Sequence, residues 1–185
     1  MMTLAERETI LKQLADSRER LLRTIEGLSS EQLQYRPAPG RWTVAENLEH
    51  LTFVEGRVLG LIQKSLSEGP TTSKRSAFEG QDSALVEDIQ GRITRFQAPT
   101  PVEPIGRWPD DQLLDQFETA RRQTHDFASS TQADLRNHFL RHPRFGDLDL
   151  YQWLLLVAAH CDRHRVQAEE VIASPGYPKV TASAS

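Results

Sequence analysis

The residues of this chain best suited to chemistry are its histidines: six, beside one cysteine. Two of them, His160 and His164, stand at i and i+4 in an apolar stripe reading Leu150, Trp153, Val157, His160, His164, Ala168 and Val171. That spacing puts the two Cβ atoms ~5–6 Å apart on one helical face, so both imidazoles can reach a single ion at ~2.0–2.1 Å. The competing reading is a pair of core histidines. Each would have a ring donor and a ring acceptor to satisfy, and an unpaired buried polar group costs ~1–3 kcal/mol. One buried histidine commonly finds a backbone partner; two stacked on the same stripe are harder to satisfy. A third, His50, lies between Leu48 and Leu51 with Phe53 and Val54 following, again in apolar surroundings. If the two helices are neighbours, the three imidazoles surround one divalent ion, and bundle interiors are where helical proteins build such sites. The three together favour a metal over core packing.

Other polar residues near these positions are candidates for supporting roles. Asn47 comes one turn before His50, and Gln167 three residues after His164; either can orient a ligand or a bound water. Arg57, seven residues past His50, can bind a substrate carboxylate, although a solvated arginine is the more ordinary reading. His125 reads as a boundary residue. His138 and His142 share i,i+4 spacing, but Pro143 argues against a continuous helix there, which favours a solvated loop over the mouth of a site. Cys161 points about 100° around the helix from His160 and reads as core. His160-Cys161-Asp162-Arg163-His164 has the ligand spacing of a zinc protease without its glutamate. The Glu-x-x-His pairs of di-iron bundles cannot be assembled, and neither a phosphate-cradling glycine loop nor a nucleophile elbow is present.

Four long amphipathic helices must position these residues. The first spans roughly Thr3 to Leu28, with Leu4, Leu11, Leu14, Leu21, Ile25 and Leu28 on one face. Tyr35-Arg36-Pro37-Ala38-Pro39-Gly40 breaks the chain. The second helix opens on a capping box, Thr43-Val44-Ala45-Glu46, and runs to about Glu68 before Gly69-Pro70. The third begins near Pro109 and carries Leu113, Phe117, Ala120, Thr124 and Phe127. The fourth opens on a second capping box, Asp149-Leu150-Tyr151-Gln152, and ends near Ala173. No segment reads as a convincing strand. About forty residues lie between the second and third helices, with at most a short helix over Asp82 to Gln90. A crossover explains them, letting those two helices run parallel. The expected architecture is an all-α four-helix bundle with a long crossover between helices 2 and 3. It forms one domain over residues 1–175, followed by a polar, disordered tail over 176–185.

Composition narrows the function further. At 185 residues the chain can bury its own core. A single cysteine allows no internal disulfide and no cysteine-built zinc or iron–sulfur centre. The net charge of −4, from 22 basic and 26 acidic residues, argues against nucleic acid as a partner. The apolar run Trp153 to Ala159 is far short of the ~20 residues of a membrane span. Met1 to Glu8 is charged from the outset and lacks an apolar signal core. These features lead us to expect a cytoplasmic protein with neither a membrane nor a nucleic-acid partner.

At the residues singled out above, the sequence resembles the DinB-like (YfiT-like) superfamily. Arg36-Pro37-Ala38-Pro39-Gly40-Arg41-Trp42-Thr43-Val44-Ala45-Glu46-Asn47-Leu48-Glu49-His50-Leu51 is similar to that family's entry into its second helix. His142-Pro143-Arg144-Phe145-Gly146-Asp147-Leu148-Asp149, Trp153-Leu154 and Ala159-His160 with His164 and Gln167 are similar to its last helix and the approach to it. Ala98-Pro99, Glu103-Pro104 and Gly106-Arg107-Trp108-Pro109 resemble its crossover. The resemblance implies a four-helix bundle, a homodimer, and one divalent ion per chain, zinc or nickel, on His50, His160 and His164. Family members include thiol S-transferases, a mycothiol-dependent isomerase and proteins read as metal hydrolases. Three neutral imidazoles leave the ion its full charge, which favours an anionic fourth partner. The leading expectation is a transferase that activates a low-molecular-weight thiol cosubstrate for attack on an electrophilic small-molecule substrate. The alternatives are a metal-dependent hydrolase using activated water, for which no general base is evident, and a non-enzymatic metal-binding or stress protein.

Overall fold

The chain runs α1 (Leu4–Ile25), α2 (Ser30–Gln34), α3 (Val44–Glu68), α4 (Asp82–Gln90), α5 (Asp110–Ser130), a 3-10 turn (Leu135–Asn137), β1 (Phe139–His142), β2 (Gly146–Asp149) and α6 (Leu150–Ile172). This computed structural model describes residues 1–71, 75–91 and 102–179. The Ala98-Pro99 part of the crossover and residues 180–185 of the expected tail lie outside the described residues. Within the expected tail, by contrast, Tyr177 packs edge-on against Tyr35, and Gln32 Nε2 donates to the Pro178 carbonyl, so the described start of that segment is held against the bundle.

Local sequence sets the helix starts. Thr3, Ser29, Thr43 and Asp149 each close a reciprocal capping box with the residue three positions on, satisfying amides that the first turn leaves orphaned. The boxes at Thr43 and Asp149 are the two expected from the sequence. The first helix ends at Ile25, three residues short of the expected Leu28. Gly27 there turns the chain at φ +73°, and Ser29 caps the next helix.

The four long helices form a ring in which α1 touches α5 and α6, and α3 touches the same two. Their relative directions follow from individual contacts. Ser17 lies opposite Cys161, Arg20 opposite Asp162 and Thr24 opposite Glu169, so α1 and α6 run parallel. Leu48 and Leu51 share a core cluster with Leu113 and Phe117, and Glu55 pairs with Arg121, so α3 and α5 are also parallel. Arg18 meets Glu118 while Arg7 reaches the carbonyls of Ala128 and Ser129, which sets α1 against α5. The parallel α3–α5 pair is the arrangement that a crossover between them permits. Within the crossover, α4 lies along α6, burying Leu85 and Ile89 in the core. No helix among the described residues is long and apolar enough to cross a membrane.

The hairpin corrects the expectation that no strand is present. β1 and β2 pair antiparallel from Phe139↔Asp149 to His142↔Gly146. Strands of four residues are too short to print an alternating pattern, and the pairing rests on tertiary contacts. Leu148 is buried, Trp153 Nε1 donates to the Leu140 carbonyl at 3.2 Å, and Leu150 N donates to the His138 carbonyl at 3.1 Å. Gly146, at φ +73°, makes the turn possible.

Candidate metal centre

The capping box of α3 fixes the start of the helix that carries His50. Glu46 N donates to Thr43 Oγ1 at 3.1 Å, Thr43 N donates to Glu46 Oε2 at 2.8 Å, and Arg36 braces the same carboxylate at 2.6 Å. Asn47 and His50 follow one turn apart, both buried. On α6, His160 and His164 lie in the middle of a helix buried almost all round.

The three rings converge through their Nε2 atoms. His50 Nε2 lies 3.3 Å from His160 Nε2, which lies 3.1 Å from His164 Nε2. A tetrahedral ion with ligand bonds of ~2.0–2.1 Å holds its donor atoms about 3.3–3.4 Å apart, so the spacing is that of a metal's donor set. Among the described residues, these three imidazoles form the one histidine, cysteine or carboxylate cluster compact enough to hold an ion.

The outer ring nitrogens determine which way the lone pairs face. His50 Nδ1 donates to the Val102 carbonyl at 2.7 Å, an acceptor that admits no other polarity. His164 Nδ1 donates to Asn47 Oδ1 at 2.8 Å. The Asn47 amide cannot be reversed, because its Nδ2 donates to the Thr43 carbonyl at 2.8 Å. Protons on Nδ1 leave lone pairs on Nε2, and two such lone pairs face a shared point from His50 and His164. Facing lone pairs repel unless a proton on His160 or a cation lies between them. A carbonyl or amide oxygen on the far nitrogen is the usual partner of a metal-binding histidine.

Burial keeps the donors neutral. The His50 pKa is lowered chiefly by burial; the Val102 bond opposes this in part, and the charge of Arg107 adds a smaller lowering. Burial holds His160 and His164 well below the ordinary histidine value, and the neighbouring rings add to the effect. Trp42 closes one side, its ring stacked at 18° and 5.8 Å on His164 and 4.9 Å from His50.

The supporting residues divide. Asn47 joins the centre through His164, and Gln167, half-buried, lies near enough to His164 to oppose in small part the lowering of its pKa. Arg57 does not join it. The residue is exposed on α3, and no hydrogen bond or ion pair holds it among the described residues. His125 is half-exposed on α5 beside Asp126. Cys161 is buried with Sγ toward the Ser17 carbonyl, and burial pushes its thiol up to about 11, as suits a core residue.

His138 and His142 depart from the expected solvated loop. His138 is buried, its Nδ1 donating to the Asp134 carbonyl at 2.8 Å. His142 ends β1 stacked on Phe145 and tilted against Trp153, with Nδ1 accepting from the amides of Arg144 and Phe145. Burial first, then the charge of Arg144, lowers its pKa to about 4. The hairpin is what takes both rings out of water.

Sequence reasoning missed Glu49 and the backbone it holds. Glu49 is buried and accepts from the amides of Ile105 and Gly106 and from Arg107. Burial alone would raise its pKa; the amides of Ile105, Arg107 and Gly106 and the Arg107 guanidinium bring it below the usual carboxylate value. The available signal was a glutamate directly before a histidine in an otherwise apolar run.

A profile of the DinB superfamily matches residues 13–168, a span that contains all three convergent histidines. The chain belongs to the DinB superfamily. A relative, the uncharacterized protein YuaE of Bacillus subtilis (strain 168), is 24% identical over 148 residues, covering 80% of this chain and 87% of YuaE. No solved structure is significantly similar to the chain. For a DinB protein, the all-helical bundle and the histidine cluster are mutually consistent: the bundle brings one histidine from α3 against two from α6.

Proposed function

We propose that this DinB protein is a metal-dependent transferase that activates a low-molecular-weight thiol for attack on an electrophilic small molecule. The observation that carries the reading is the donor set: three neutral imidazoles, with Nε2 atoms 3.1 and 3.3 Å apart and no carboxylate among them. A divalent ion there keeps its full charge and supplies Lewis acidity, favouring the ionised form of a thiol that reaches it. Imidazole donors suit zinc and nickel, and we take one such ion per chain as the cofactor. The chain's own residues do the rest. Val102 and Asn47 hold two rings with their lone pairs inward, and Trp42 excludes water from one side. The two carboxylates closest in sequence to His50 are engaged, Glu46 in the helix cap and Glu49 with Ile105–Arg107. That supports a thiol, which would ionise outright at the ion and give its proton to solvent, over water, which would ionise there only at about pH 7. The same proposal takes the protein to be a cytoplasmic homodimer with neither nucleic acid nor membrane as partner.

The test begins with metal analysis of untagged protein. About one zinc or nickel per chain is expected, with loading lost in His50→Ala, His160→Ala and His164→Ala and kept in His125→Ala. Loaded protein is then given low-molecular-weight thiols with a generic electrophile and, separately, activated esters. Thiol conjugation dependent on the three histidines supports the proposal. Ester hydrolysis alone assigns a hydrolase, inactivity in both assays favours a non-enzymatic metal protein, and failure to take up any divalent ion overturns the centre itself.

A further inference from the structure

The residue directly before His50 holds a piece of the crossover that reaches back to His50. Glu49, 3% exposed, accepts from Ile105 N at 2.9 Å through Oε1, from Gly106 N at 2.9 Å through Oε2 and from Arg107 Nη1 at 2.7 Å through Oε1. Two successive amides can face one carboxylate because Gly106 turns the backbone at φ +75°, a conformation that side chains disfavour. Arg107 strengthens the clamp from its own side: Nη1 also donates to the Glu103 carbonyl at 2.8 Å, and the guanidinium lies 4.1 Å over the Phe53 ring. Three residues before this grip, the Val102 carbonyl receives the Nδ1 proton of His50.

Apolar burial does not explain the hold on the backbone at Ile105 and Gly106, both exposed. Ile105 is 75% exposed, so the clamp holds its backbone while its side chain stands in solvent. Among the described residues, the polar contacts to Glu49, the Arg107 guanidinium over Phe53 and the bond from His50 tie Val102–Arg107 to α3. The clamp and the His50 bond are in series: the clamp sets where Val102 lies, and Val102 sets which nitrogen of His50 carries the proton. A proton moved to Nε2 would occupy the lone pair that faces His160 and His164.

We propose that Glu49 is a positioning residue of the metal centre, fixing Ile105–Arg107 so that the Val102 carbonyl holds His50 with its Nε2 lone pair directed inward. The proposal rests on reading the triad as a metal centre, but its first consequence concerns the metal-free protein. Outer partners of ligating histidines change metal affinity about 10–100-fold when removed, and Glu49 acts one step further out, through the backbone.

The experiment compares wild type, Glu49→Gln and Arg107→Met by two readouts. Nitrogen-15 shifts of the His50 ring in metal-free protein report its tautomer, and zinc affinity is measured by chelator competition. Wild type is expected to carry its proton on Nδ1. Glu49→Gln is expected to shift population to Nε2–H and weaken zinc about tenfold. Arg107→Met, which leaves both amide contacts, should fall between the two and serves as the test if Glu49→Gln does not fold. A His50 ring unchanged in a folded variant, with zinc affinity within about twofold of wild type, would overturn the role of Glu49. Absence of zinc uptake by wild type would remove the metal reading instead, while the ring shifts would still decide whether Glu49 governs His50.

Discussion

Asn47 shows what one side chain does in this centre. Its Nδ2 is committed to the Thr43 carbonyl, which leaves Oδ1 to hold the Nδ1 proton of His164. Asn47→Ala removes that acceptor and frees the ring, so zinc affinity measured by chelator competition is expected to fall 10–100-fold. Asn47→Asp keeps that acceptor but sets its second oxygen against the Thr43 carbonyl, so it is expected to lose less affinity than Asn47→Ala; an equal loss in both variants would show that the acceptor does not orient His164. The ligands were legible in the sequence because helical spacing is local: i,i+4 places His160 and His164 together, and an apolar neighbourhood turns His50 inward. Val102 and Glu49 were not, because their roles depend on a segment more than fifty residues away in the chain closing onto α3. Arg57 is exposed, in keeping with its more ordinary reading as a solvated arginine; seven residues along a helix is about 10 Å of rise, so it shares a face with His50 two turns away.

At the scale of elements, the capping boxes made the starts of α3 and α6 readable, whereas the hairpin left no local signature beyond Pro143 and Gly146. The hairpin nonetheless matters to α6: β2 ends on Asp149, the residue that caps that helix. A Cβ built on Gly146 would meet nothing nearer than the Ala77 Cβ at 3.8 Å, so the cost of a side chain there is conformational. Gly146→Ala is therefore expected to lose about 1–2 kcal/mol in denaturant unfolding. Its zinc affinity should stay close to that of wild type, because His160 and His164 lie about three and four turns further along α6. A large loss of zinc binding in this variant would show that the hairpin reaches into the centre.

Across the whole molecule, Arg136 gathers three helix starts at one end of the bundle. It bonds Glu6 of α1, Asp82 of α4 and the cap residue Asp149, and lies 4.2 Å over the Tyr151 ring. Burial would raise the Glu6 carboxyl, but the Thr3 amide and Arg136 bring it below its ordinary 4.5; Asp82, also buried, is brought below 3.8 by Arg136 and Gln152. A carboxylate with a depressed folded pKa stabilises the fold above its unfolded value, and that contribution is lost as pH falls through the folded value. Asp149, raised by burial, has the opposite sign and offsets part of it. Stability from urea unfolding should thus decline as pH drops below about 4.5, and Arg136→Met should be less stable at pH 7 with a shallower acid slope. An unchanged slope would place the acid sensitivity elsewhere.

Arg121 gives the bundle a different property. From α5 it bonds Glu55 of α3 and both the Leu14 carbonyl and Ser17 Oγ of α1, all buried, and it lies against Cys161 of α6. A buried ion pair contributes little net stability, and its best-attested use is to specify registry. Arg121 acts as an index mark common to four helices. A slip of α3 by a single residue would carry His50 about 1.5 Å along the axis, several times the ~0.2 Å tolerance of a metal bond. The residue that ties α3 to α1 and α5 thus stands on a helix that supplies none of the three histidines.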